Sequence, residues 1–316
     1  MQTTRVTVEV AGRRLTLSNL DKVLYPAGVD FGGLSKAEVI DYYTRIAPVL
    51  VPHVASRPAT FTRWPDGVQG KAFFEKNAPS HTPEWVRRVR LPSPGSGMGR
   101  ATIDYVLVDD LPTLVWAANL AALELHVPQW RVDEAGDSQH PDLLVLDLDP
   151  GPPATVVECC EVAGLLRQAL AADSLVAYPK TSGSKGMQLM VALEPTTADR
   201  TSAYARSLAG ALARDHPDLV VAQMAKQVRP GKVFIDWSQN NAAKTTIAPY
   251  SLRARALPTV STPVSWEEVA ACTHPEDLRF LASQVLERVA RDGDLMLPLT
   301  QVGARGTLPG PPTRDE

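Results

Sequence analysis

Asp142-Leu143-Leu144-Val145-Leu146-Asp147-Leu148-Asp149-Pro150-Gly151 is the stretch whose reading governs the rest of the chain. The apolar run Leu143 to Leu146 reads as a buried strand, and Pro150 and Gly151 end it. Side chains two residues apart on a strand share a face. Asp147 and Asp149 are therefore expected to point the same way, with Leu148 on the opposite face. Two close carboxylates repel each other unless something positive lies between them. A divalent cation is the simplest answer, and hard oxygen ligands favour Mg²⁺ or Mn²⁺. A lone Asp-x-Asp is more often a pair of turn and capping residues, so two later segments carry the decision.

The first is Pro179-Lys180-Thr181-Ser182-Gly183-Ser184-Lys185-Gly186, followed by the strand-like run Met187 to Val191. Gly183 and Gly186 allow close backbone approach. Ser182, Ser184 and Lys185 are groups that hold a phosphate chain, although the glycine spacing and the order of elements exclude a P-loop. The second is Gly231-Lys232-Val233-Phe234-Ile235-Asp236-Trp237. Here a short apolar strand ends in a third carboxylate, which could complete a two-metal site with the first pair. Alone, Asp236 reads as a cap or an ion-pair partner. Lys244, Arg253 and Arg255 follow and offer cations to phosphates.

These three segments, in this order, resemble the archaeo-eukaryotic primase superfamily. The closer resemblance is to the polymerase domain of bacterial ligase D, the end-joining repair enzyme, and its stand-alone relatives. It runs from about Leu17 to Leu297 and includes Asn19-Leu20-Asp21-Lys22, Arg63-Trp64-Pro65-Asp66-Gly67, Phe73-Phe74-Glu75-Lys76 and Leu123-Glu124-Leu125-His126-Val127-Pro128-Gln129-Trp130. The resemblance implies an α/β (α+β) primase-polymerase domain over about 5–300. It would comprise an N-terminal mixed module (about 5–130), an RRM-like catalytic module (about 131–260) and a C-terminal helical part (about 261–300). The Pro/Gly-rich stretch 303–316 is expected to be a disordered tail.

By the same resemblance, Asp147, Asp149 and Asp236 bind two divalent ions, Mn²⁺ or Mg²⁺, and template-dependent nucleotidyl transfer from nucleoside triphosphates is the expected reaction. Ser182, Lys185, Arg253, Arg63 and Lys244 are implied triphosphate contacts, and His126 lies beside the incoming nucleotide. Phe73 and Phe74 match aromatics that stack on a template base, the alternative being that they fill a core. Asn19, Lys22 and Lys36 match residues that hold a 5′-phosphate at a gap or break, although the loop from Ala27 to Leu34 is longer than the family pattern. Two positions depart from that pattern. Gln188 stands where a His contacts the nucleotide phosphates, and glutamine donates a hydrogen bond but carries no charge. Thr62 stands where a Lys often precedes Arg63.

Implied roles are gap filling and end extension in non-homologous end joining, a preference for ribonucleotides, and partnership with Ku and an ATP-dependent DNA ligase. With 316 residues, that ligase is expected to be a separate protein. Two alternatives stay open: a primase that starts chains de novo, and a catalytically weak scaffold that binds DNA ends.

Composition sets wider bounds. Hydrophobic residues make up 44% of the chain, enough for a substantial core. No apolar run approaches the ~20 residues of a membrane helix, and the N-terminus lacks a signal-peptide core. The cysteines Cys159, Cys160 and Cys272 show neither metal spacing nor a disulfide framework. A cytoplasmic, nucleoid-associated location is the default expectation. The net charge of −3 does not announce a nucleic-acid binder, but its distribution says more. Cations predominate from Arg57 to Arg90 with aromatics between them, and from Lys226 to Arg255 the one acid is Asp236. That pattern fits phosphate-rich partners.

Among local elements, Arg5 to Val10 alternates as the first strand of a hairpin. Ser35 and Glu38 form a capping box for a helix from Lys36 to about Leu50. Thr113 to Glu124 reads as one apolar helix. The order strand, helix, strand, strand, helix, strand from Asp142 to Asp236 is that of a split β-α-β unit.

Overall fold

The computed structural model describes residues 4–29, 31–92 and 101–310. The chain divides into two units, each assembled from separate segments. The first comprises Met1–Ser138, Thr245–Thr262 and Phe280–Asp294; the second comprises Gln139–Lys244, Pro263–Arg279 and Leu295–Glu316. The linear division expected near residues 130 and 260 is thus too simple, because the chain re-enters the first unit twice.

The first unit opens with β1 (Arg5–Val10) and β2 (Arg13–Ser18), paired antiparallel through a turn in which Ala11 and Gly12 both have positive φ. Two positive φ values match the twist of a two-residue hairpin. A second pair, β3 (Val23–Tyr25) and β4 (Leu34–Ser35), leads directly into α1 (Lys36–Val54). Ser35 and Glu38 form the expected capping box, and α1 continues one turn beyond Leu50. β5 (Pro58–Arg63), β6 (Phe73–Glu75), β7 (Arg88–Pro92) and β8 (Thr102–Leu107) follow. The loop expected from 93 to 99 lies outside the described residues.

The expected helix from Thr113 to Glu124 is two elements. α2 (Leu111–Asn119) is capped by Asp110, whose side chain accepts the Thr113 N–H, and β9 (Ala122–Val127) follows. Ala121 breaks the run with φ +56°. Neither glycine nor proline marks this break, and both elements are buried all round, so periodicity does not separate them. His126 consequently lies on a strand rather than near a helix end.

The second unit is built on β10 (Leu143–Pro150), α3 (Val156–Ala172), β11 (Ala177–Thr181), β12 (Met187–Ala192), α4 (Ala198–Asp215), β13 (Val220–Val221) and β14 (Val233–Asp236). Its sheet order is β11-β12-β10-β14-β13. With β13 set aside, the four strands of the β-α-β-β-α-β unit lie in the order 2-3-1-4, all antiparallel. That is the split β-α-β arrangement read from the sequence.

β15 (Thr246–Ile247) then pairs with β9, completing a first-unit sheet ordered β15-β9-β5-β8-β7, with β6 alongside β5. α5 (Trp266–Ala271) belongs to the second unit and α6 (Ala282–Asp292) to the first. Asp294, just after α6, accepts from Tyr250 Oη at 2.7 Å and lies 2.8 Å from His53 Nε2 on α1. Such long-range pairings return late segments to the first unit and leave no local trace in sequence.

The expected disordered tail begins too early. Gly306 donates to Ala192 O and accepts from Glu194 N, and Leu308 is buried. Residues 311–316 lie outside the described residues. Among the described residues, no helix is long and apolar enough to cross a membrane, and the three cysteines are free and buried.

Gly186 shows how tightly the sheet is drawn around β10. A Cβ there would lie 2.0 Å from the Leu148 carbonyl oxygen. Gly186→Ala should therefore lower stability by about 1–3 kcal/mol, read as a fall in the urea midpoint. Gly164→Ala in α3, where a Cβ meets nothing within 4 Å, should be neutral or stabilising.

Candidate functional site

Strand register assembles one row of polar side chains across the second-unit sheet. Asp147 lies opposite Asp236 on β14 and opposite Gln188 on β12; Gln188 in turn lies opposite Lys180 on β11. Directly opposed residues share a face, so the row runs Asp236, Asp147, Gln188, Lys180. Asp149 adds a third carboxylate two residues along β10. On the other face Leu144, Leu146 and Leu148 are fully buried. The strand parity read from Asp142 to Gly151 is thus the observed one.

The row is electrostatically loaded. Burial, then the Asp149 charge, pushes the Asp147 carboxyl from its usual 3.8 up to about 7; Asp236 adds to this, while Gln188 and Lys180 oppose it. Burial and Asp236 also raise Asp149, against the pull of Arg229. Gln188 Nε2 donates to Asp147 Oδ1 at 3.0 Å, and Gln188 Oε1 is buried with no hydrogen-bond partner among the described residues.

Asp236 is partly engaged as a cap. Its carboxylate accepts from Ser238 N and Gln239 Nε2, each at 3.0 Å, and lies 3.9 Å from Lys244 Nζ. Lys244 Nζ also donates to Ser238 Oγ. Beyond β14, the Asn240 side chain continues the ladder. It accepts from Val145 N at 2.9 Å and donates to Val145 O at 2.7 Å.

The Ser182–Gly186 loop is shaped by its first serine. Ser182 Oγ accepts from the N–H groups of Ser184 and Gly186, each at 3.2 Å, and Gly183 takes φ +67°. Lys185 is exposed at the tip.

The first unit carries the remaining expected residues. Glu124 on β9 is buried and gathers two of them: His126 Nε2 at 3.0 Å and Arg253 Nε at 3.1 Å. It also accepts the Ala254 N–H. Burial opposes ionisation of Glu124, but His126, Arg253 and that N–H together hold its carboxyl below the usual range. Arg63 donates from Nη1 to both Glu75 oxygens and from Nε to Leu120 O.

Asn19, Lys22 and Lys36 meet at the start of α1. Lys36 N donates to Lys22 O at 2.8 Å, and Lys22 N to Asn19 O at 3.1 Å. The long loop after Pro26 lies beyond the β3–β4 pairing, so it does not separate the two lysines. Lys36 Nζ donates to Ser18 O at 2.6 Å. Burial, then Lys22 and Arg63, lowers its pKa from 10.5 to about 8. Phe73 and Phe74 fill no core, being 46% and 62% exposed. Lys71 lies 5.6 Å from the Phe73 ring centre and Lys76 5.8 Å from that of Phe74.

Comparison with known proteins decides the family. The family model described as "LigD, primase-polymerase domain" matches residues 35–296. The chain belongs to this family. It is 48% identical over 287 residues to the multifunctional non-homologous end joining protein LigD of Mycolicibacterium smegmatis, covering 90% of this chain and 36% of that protein. It is 29% identical over 282 residues to the bifunctional LigD of Bacillus subtilis, covering 89% of this chain and 43% of that protein. A solved structure of the polymerase domain of Mycobacterium tuberculosis ligase D in complex with DNA matches with TM-score 0.84 and 43% identity, covering 91% of this chain and 98% of that one. The chain thus spans about a third of the length of the mycobacterial LigD protein. The LigD primase-polymerase domain is a nucleotidyltransferase module with a mixed α/β fold, and this chain is one.

The donor set fits the divalent metals that this family implies. Asp147, Asp149 and Asp236 are hard oxygen ligands on one face, their mutual repulsion answers to positive charge, and the buried Gln188 Oε1 beside them is a further oxygen with no hydrogen-bond partner among the described residues. Among the described residues no three His, Cys, Asp or Glu side chains close around a point. The row is an open face, as suits ions that keep waters and substrate phosphates as ligands. Sequence reading passed over Lys180, Glu124 and Asn240. Lys180 is buried in the row, Glu124 joins His126 to Arg253, and Asn240 completes the edge of β10. Only the alternation Leu-Glu-Leu-His hinted at one of them, by placing Glu124 and His126 on one strand face.

The raised Asp147 pKa has a sign that can be tested. In metal-free protein the folded state holds a proton that the unfolded state loses near pH 3.8, so this group's contribution to stability declines as pH rises from there to about 7. With metal removed by chelation, Asp147→Asn should raise the melting temperature at pH 8, and the gain should vanish near pH 4.

Proposed function

We propose that this chain is the gap-filling and end-extending polymerase of a non-homologous end-joining system, acting at the nucleoid on DNA ends and gaps that bear a 5′-phosphate. The observation that carries this reading is the carboxylate row of Asp147, Asp149 and Asp236, held on one sheet face by register. These residues would hold two divalent cations, Mn²⁺ or Mg²⁺, whose chemistry when bound is activation of a primer 3′-hydroxyl and neutralisation of charge on the triphosphate.

The chain's own residues do the rest by positioning and charge. Lys185 and Lys244 offer cations to the triphosphate, and Ser182, whose hydroxyl shapes the loop that carries Lys185, is a further triphosphate contact in this reading. Gln188 orients Asp147 through its amide, a task an uncharged side chain performs without adding to the triphosphate's neutralisation. Arg63, His126 and Arg253 are nucleotide contacts in the same reading, with Glu124 fixing the latter two. Phe73 and Phe74 offer a template base a stacking surface, worth about 1–3 kcal/mol per base. Asn19, Lys22 and Lys36 take the 5′-phosphate at the start of α1. Ribonucleotide preference, Ku and an ATP-dependent DNA ligase belong to the same proposal.

The test is single-nucleotide incorporation into a short gap with a downstream 5′-phosphate, using ribo- and deoxynucleotides with Mn²⁺ and with Mg²⁺. Templated addition that Asp147→Ala abolishes supports the polymerase. Dinucleotide synthesis on unprimed single strands would identify a primase instead, and tight gap binding without incorporation a scaffold. A second expectation concerns pH. Lys36 loses its proton near pH 8 in the free protein, so affinity for a 5′-phosphorylated gap should fall as pH rises above about 8. Lys36→Gln should weaken binding and flatten that limb, as read by fluorescence anisotropy.

A further inference from the structure

The corner that gathers Asn19, Lys22 and Lys36 also holds a carboxylate to which the proposed reaction assigns no task. Asp66 Oδ1 lies 2.7 Å from Lys22 Nζ. Asp66 is the third residue of the turn Trp64-Pro65-Asp66-Gly67, closed by Gly67 N donating to Trp64 O at 3.0 Å. This turn is pressed onto β3. Val68 N donates to Leu24 O at 2.8 Å, and a Cβ on Gly67, at φ +80°, would lie 3.0 Å from Leu24 O and 3.1 Å from Val23 O. Only glycine permits that approach without strain. The backbone therefore delivers Asp66 to Lys22.

The pair is nevertheless easy to exchange. The Lys22 side chain is 38% exposed and that of Asp66 74% exposed. Ion pairs in such settings contribute little. The neighbouring cation Lys36 is buried and bonded to Ser18 O. Lys22 is thus the outer cation of the corner, and Asp66 holds it by a single bond.

We propose that Asp66 is a resident competitor for Lys22, occupying its ammonium until the terminal 5′-phosphate of a downstream strand displaces it. The inference rests on the proposed role of this corner as the 5′-phosphate site. A terminal phosphate monoester carries close to two negative charges near neutral pH, whereas an internal phosphodiester carries one. A diester gains little over the aspartate it would replace, so duplex without an end stays bound, if at all, without Lys22. A terminal phosphate gains from both lysines. Asp66 therefore lowers affinity for ends slightly and confines Lys22 to them, which makes it a specificity residue acting by repulsion.

The test is a double-mutant cycle on equilibrium binding. Wild type, Asp66→Asn, Lys22→Ala and the double variant are titrated with three duplexes: gapped with a 5′-phosphate, gapped with a 5′-hydroxyl, and continuous. Asparagine is favoured in turns, and a thermal melt confirms folding. Asp66→Asn should tighten binding to the phosphorylated gap about two- to fivefold, the range expected for an exposed ion pair. It should also raise affinity for continuous duplex, and both gains should disappear in the Lys22→Ala background. Weaker binding by Asp66→Asn would show that Asp66 orients Lys22, and a gain that survives Lys22→Ala would show general charge removal; either overturns the proposal. If Lys22→Ala leaves the preference for 5′-phosphate intact, the corner is not the phosphate site and both readings fall. If Lys22→Ala removes the preference and Asp66→Asn tightens nothing, the competitor alone falls.

Discussion

The register of β10 against β12 and β14 is the constraint on which the second unit depends. Asp147 stands between Asp236 and Gln188, and a slip of one residue on any of these strands would turn that strand's polar group to the buried face. Hydrophobic burial prevents the slip. Leu144, Leu146 and Leu148 are fully buried on the opposite face, as are Val233 and Ile235 on β14. Asn240 pairs its amide with both backbone groups of Val145, and Gly186 presses against the Leu148 carbonyl. With so much holding the strands in place, the sheet can carry carboxylates whose burial and mutual repulsion raise the pKa of Asp147 and Asp149. A site that is unfavourable by itself and supported by its surroundings is what a cation-binding, charge-neutralising reaction requires.

The first unit solves a different problem by the same means. Glu124 is a buried charge, costly unless paired. His126, Arg253 and the Ala254 N–H all meet its carboxylate. The result is a histidine and an arginine with fixed orientations, the first from the same strand as Glu124 and the second from a loop far along the chain. Phe73 and Phe74 show the converse. Two large aromatics left exposed on one short strand, each with a lysine near its ring, are unfavourable in water unless a partner covers them. In the proposed function that partner is a nucleic-acid strand, whose bases offer planar faces and whose backbone carries charge.

Much of the two units was legible in the chain where the signals are local. Asp147, Leu148 and Asp149 alternate, Pro150 and Gly151 stop the strand, and Ser35 with Glu38 caps α1. Each is a property of a few neighbouring residues, and each stands in the structure as read. The failures have a common cause. The run Thr113 to Glu124 is apolar throughout, and nothing in it but the conformation of Ala121 separates α2 from β9. Residues 303–310 have the composition of a tail, yet Gly306 finds the free edge at Ala192 and Glu194.

By itself the sequence determined the carboxylate pair, the serine- and glycine-rich loop before β12, the order of elements in the second unit and the family resemblance. These rest on side-chain alternation, turn chemistry and motif spacing, which neighbouring residues specify. Only the tertiary structure decided which side chains Asp147 faces, how Glu124 holds His126 and Arg253, that Asp66 sits on Lys22, and that the two phenylalanines face solvent. Apart from Glu124 with His126, two positions apart on one strand, the contacts named join residues tens to more than a hundred positions apart. They are set by register and by which surfaces can be buried together, and the sequence does not state either in any single window.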